Sequence, residues 1–136
     1  MARKVTLLER AKGDLIVARD IVSKNMPDEV QLDIAAYHTQ QGTEKMLKFY
    51  MSENNIVYSK THETLKLLDQ LDTAGVSYPD WIYNDNAVIT AYATESRYGE
   101  NLVATKRKLL ELLCLAETWL NEIEDMQLKR QKQVPV

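Results

Sequence analysis

A chain of 136 residues with 45% hydrophobic residues can build one core and falls in the size range of a single domain. Seventeen basic and twenty acidic residues give a formal charge of -3, which removes the overall basic excess expected of a non-specific nucleic-acid binder. The lone cysteine, Cys114, excludes a disulfide framework and a thiolate metal site, and no apolar run approaches the roughly 20 residues that span a bilayer.

The opening "MARKVTLLERAKGDL" turns charged again too early for a signal peptide, so a cytoplasmic protein without a membrane segment is expected. In the first segment Leu8, Ala11, Leu15, Ala18 and Val22 recur at three- and four-residue steps, predicting a helix over about 5–24 that Asn25 and Pro27 end. A second helix starts at Pro27 or Asp28 and runs to about Ser52, with Leu32, Ala35, Ala36, Met46, Leu47 and Tyr50 as its apolar side. Thr61 is the expected N-cap of a third helix with Leu65, Leu68 and Leu71 as its buried stripe, and Gly75 stops it. From Asp80 the pattern Trp81, Ile82, Val88, Ala91 and Tyr92 gives a fourth helix, irregular around "NDN" and ending near Tyr98 and Gly99. The last helix has an apolar seam from Leu102 through Leu109, Leu112, Leu113, Ala116, Trp119 and Leu120 to Ile123, after which "LKRQKQVPV" is expected to fray into a polar tail.

Four glycines and three prolines are too few for the turns of an all-β fold, and no strand candidate exceeds a few residues. The expectation is therefore all-α: an antiparallel up-and-down bundle of four to five helices forming a single domain over residues 1–136, with its core at about 5–125. Val103, Leu110, Cys114 and Leu115 widen the last apolar stripe, which suits either a dimer interface or a helix at the centre of the bundle.

One polar row crosses this pattern. His38, Gln41, Lys45 and Lys48 follow one another at steps of three, four and three, with Glu44 beside them, on a border of the apolar face of the second helix. An ordinary solvated helix edge is the plain alternative, since Glu44 and Lys48 form a common i, i+4 pair worth only tenths of a kcal/mol. His62 is expected in the first turn of the third helix as a local cap, and Arg97 near a helix C-terminus, where a cation is favoured without any ligand. The scattered glycines at 13, 42, 75 and 99 form no phosphate loop, and two histidines without a cysteine pair make no metal site.

Four stretches, "AKGDLIVARDIV" at 11–22, "LDIAAYHTQQGTEKMLKFYM" at 32–51, "KTHETLKLLDQL" at 60–71 and "ITAYATESRYGE" at 89–100, resemble the HEPN domain, whose name stands for higher eukaryotes and prokaryotes nucleotide-binding. The resemblance implies a helical bundle, often a homodimer, that binds nucleotides or RNA and is frequently encoded beside a minimal nucleotidyltransferase as a toxin–antitoxin pair. It also implies, for toxin members, a metal-independent ribonuclease with an arginine followed four to six residues later by histidine. Here Arg97 is followed by "YGENLVAT" with no such histidine, and Gly99 stands where the similar subgroup has proline after Arg97-Tyr98.

The expected function is accordingly a HEPN-like binding module without catalytic residues, metal or cofactor. Its ligand site would comprise His38, Gln41, Glu44, Lys45, Lys48, His62, Arg97 and Tyr98, meeting a nucleotide or RNA phosphate or a nucleotidyltransferase partner. The alternatives are an atypical ribonuclease using His38 or His62, and a structural dimerisation or interaction protein.

Overall fold

The structure is a computed structural model that describes residues 3–94 and 104–133. The described residues form six helices and no strand: α1 (Leu7–Val22), α2 (Glu29–Glu53), α3 (Thr64–Thr73), α4 (Asp80–Asn84), α5 (Asn86–Thr94) and α6 (Lys106–Gln133). Both long N-terminal helices open on reciprocal caps. The Thr6 hydroxyl accepts from Glu9 N at 3.1 Å while Glu9 Oε1 accepts from Thr6 N, and Asp28 and Gln31 repeat the exchange for α2. The Arg3 guanidinium, then the Thr6 amide, hold the Glu9 carboxyl below its ordinary value.

α1 runs antiparallel to α2 and to α6, as Asp14 facing His38 and the pairs Arg19–Glu117 and Lys12–Glu124 require. These three helices hold most of the core, with α3 to α5 forming the third leg of an up-and-down bundle. Close approach of α1 and α2 depends on small residues. Ala11, Ala18, Ala35 and Ala36 are fully buried, and a Cβ added at Gly42 would stand 2.8 Å from Leu15 Cδ2 and 3.2 Å from the Ala11 carbonyl oxygen.

The bundle departs from the sequence expectation at three places. The third helix starts at Thr64, and Thr61 instead accepts from Glu63 N in a turn ahead of it. Its buried stripe is Thr64, Leu67, Leu68 and Leu71, so Leu65, expected inside, is exposed. The third lies further along the chain.

The fourth helix divides at Asp85, within the "NDN" where irregularity is expected, into α4 and α5, and the Asp85 carboxylate accepts from Lys108 Nζ of α6 at 2.9 Å. That contact holds the Lys108 ammonium above its ordinary value. The expected polar tail from 126 onward is helical to Gln133, where Arg130 Nη1 donates to the exposed Glu53 carbonyl at the end of α2. Leu102, Val103 and the expected end of the fourth helix lie outside the described residues.

Candidate functional site

Two of the four buried polar side chains on α2 bond back to the helix's own backbone. Thr39 and Thr43 each donate their hydroxyl to the carbonyl four residues back, at 2.8 and 2.9 Å. Gln40 and Glu44 are different. Gln40 is 0% exposed and Glu44 5%, yet both turn side-chain polar atoms to one another and to groups beyond the core.

The polar row divides into two clusters, each centred on a carboxylate. On the edge of α2 facing α1, Asp14 accepts from His38 Nδ1 at 2.8 Å and from Lys45 Nζ at 2.6 Å. On the other edge, Glu44 Oε1 accepts from His62 Nδ1 at 2.8 Å and from Gln40 Nε2 at 3.3 Å, while Lys48 Nζ stands 3.5 Å from Oε2. Gln41 joins the second cluster by donating to Gln40 Oε1 at 2.8 Å. Lys48 also lies 5.5 Å from the centre of the Tyr58 ring, within range of a cation–π contact.

His62 lies in the segment before α3, outside the helix, and is no cap; its side chain is 71% exposed and fixed by the buried carboxylate of Glu44. Since an ionised carboxylate only accepts, Nδ1 carries the proton in both histidines and Nε2 is left for other partners. With neutral imidazoles the two carboxylates balance the two ammonium groups.

Of the expected site residues, His38 and Lys45 thus belong to the Asp14 cluster and Gln41, Glu44, Lys48 and His62 to the Glu44 cluster, whereas Arg97 and Tyr98 lie outside the described residues. Asp14 and Gln40 join them unexpectedly. Gln40 had a sequence signal, because it sits four residues after Ala36 and seven before Leu47, at a position the apolar period reserves for the core. Asp14 had a weaker one, as a carboxylate immediately before buried Leu15.

A separate charged contact joins Arg19 to Glu117 and Cys114 between α1 and α6. Glu117 holds that guanidinium above its ordinary value, and two-point pairing explains the contact as a link between helices. Among the described residues no group of three or more His, Cys, Asp or Glu is placed to hold a metal ion, and no helix is long and apolar enough to cross a membrane.

An up-and-down helical bundle with a carboxylate–imidazole–lysine face on its second helix defines the class of protein. The family model described as HEPN domain matches residues 5–126, and the chain belongs to that family. No curated protein and no solved structure matches it.

Proposed function

We propose that this HEPN-domain chain is a binding module that takes a nucleotide or RNA phosphate on the polar face of α2. The supporting observation is the burial of Glu44 and Gln40 within a charged cluster: a bundle core has no packing use for these groups, and desolvating them is costly. What they accomplish is to fix the largely buried Lys48 and the exposed His62 in position. In this reading Lys45 and Lys48 neutralise phosphate, Gln41 hydrogen-bonds base or ribose, and the Arg97 guanidinium clamps the phosphate.

Thermal shift with a panel of nucleotides tests the site. A ligand at ten times its Kd is expected to raise the melting temperature by about 4 °C, and Lys45→Ala with Lys48→Ala should abolish the rise. An unchanged rise in the double variant removes this face as the site.

The alternative of an atypical, metal-independent ribonuclease draws support from the two imidazoles, each oriented by a carboxylate as a general base requires. It ranks second because the arginine-to-histidine motif is absent. Cleavage of tRNA in the presence of EDTA, lost in His62→Ala, would promote it. Intact RNA after incubation, together with normal growth on overexpression, would exclude it.

A further inference from the structure

We propose that the polar face of α2 takes up protons as it takes up an anionic strand, with His38 and His62 as the proton-carrying contacts. This rests on the phosphate-binding reading above and adds how that binding is regulated. The first observation is that the chain has two histidines and both lie on this face, each with Nδ1 bound to a carboxylate at 2.8 Å.

The second observation is electrostatic. Both lysines of the face already have carboxylate neighbours: Lys45 has Asp14 at 2.6 Å and Lys48 has Glu44 at 3.5 Å. Among the described residues, each lysine that an incoming phosphate meets therefore shares its charge with a carboxylate while the imidazoles are neutral. At Nε2 it meets a lone pair, which repels it. A proton added at Nε2 turns the same edge into a charge-assisted donor, and the carboxylate at Nδ1 steadies the resulting imidazolium from the far side.

Among the described residues, the charged groups around each ring are as follows. From α1, Asp14 faces His38, and α2 adds Lys45 through the same carboxylate, with the Tyr37 ring edge-on at 5.5 Å. His62 faces Glu44 and Lys48 of α2; Glu63 and Lys66, on its own segment, pair with each other at 3.4 Å. From α5 the neighbouring polar group is the uncharged hydroxyl of Thr90, which accepts from Thr64 N.

His38 and the Glu44 that holds His62 are six residues apart, about 9 Å along the helix axis.

The test is binding of a labelled oligouridylate lacking terminal phosphates to the full chain, at constant ionic strength, from about pH 5.5 to 7.5. The probe does not titrate in that window. Affinity is expected to be about tenfold or more higher at the acid end, and calorimetry in two buffers of different ionisation enthalpy should read net proton uptake. His38→Gln with His62→Gln, which keeps an amide donor for each carboxylate, should flatten both readouts while circular dichroism confirms the fold. Equal affinity across the window would overturn the proton linkage and leave the phosphate reading standing, as would a pH slope that persists in the double variant. No binding at any pH would overturn both.

Discussion

Glu44→Ala is expected to lower stability by about 2–4 kcal/mol, read as a fall of roughly 6–12 °C in the melting temperature. The largest part comes from Gln40, which is fully buried and whose amide nitrogen loses its acceptor in a place water does not reach. Lys48, with 15% of its side chain exposed, loses its counter-charge and contributes next. His62 contributes least, because most of its ring is already hydrated.

Glu44→Gln keeps an acceptor and should cost less than half as much. Replacing Gln40 and Glu44 together by leucine should restore most of the stability, since apolar residues of similar volume fill such sites without desolvating charge. That rescue should come with loss of nucleotide binding, separating what the cluster does for folding from what it does for ligand. Stability of Glu44→Ala within about 0.5 kcal/mol of wild type, by denaturant unfolding, would show that the cluster is ordinary surface.

Gly42→Val has the next largest expected effect, a loss of about 2–3 kcal/mol. The added side chain would meet Leu15, itself buried, and the Ala11 carbonyl, which belongs to the α1 backbone and moves only with the helix. The same shift of α1 would draw Asp14 away from His38 and Lys45, so it should also weaken the pH dependence of anion binding. Gly42→Ala should be milder, because the gain of about 1 kcal/mol in helix propensity offsets part of the clash. A valine variant that unfolds at the same urea concentration as wild type would mean that α1 and α2 can separate freely.

The sequence already contained the helices, because their stripes repeat at 3.6 residues and their ends carry caps such as Asp28. Where it misled, a tertiary contact outweighed a local preference. Thr61 has the chemistry of an N-cap, but Glu44 holds the next residue, His62, and the chain enters α3 three residues later. Leu65 and Leu67 are both apolar, and only packing decides that Leu67 faces inward.

The site was half legible. Spacing placed His38, Gln41, Lys45 and Lys48 on one border of α2, and it could not reveal that Asp14, 24 residues before His38, splits the row by accepting from two of its members. Nor does spacing distinguish a carboxylate in water from one in a core. Glu44 and Lys48 look like a routine surface pair until Gln40 is seen beneath them.

The contact of Arg130 with the Glu53 carbonyl and, at 3.8 Å, with the Glu53 carboxylate has a consequence for how the bundle opens. The ends of two long helices, each of which would fray independently, are joined by one side chain, and α2 carries most of the polar face near its middle. Fraying of α6 at Arg130 therefore leaves the Glu53 carbonyl to water, and the exposed contact couples the two helix ends only weakly.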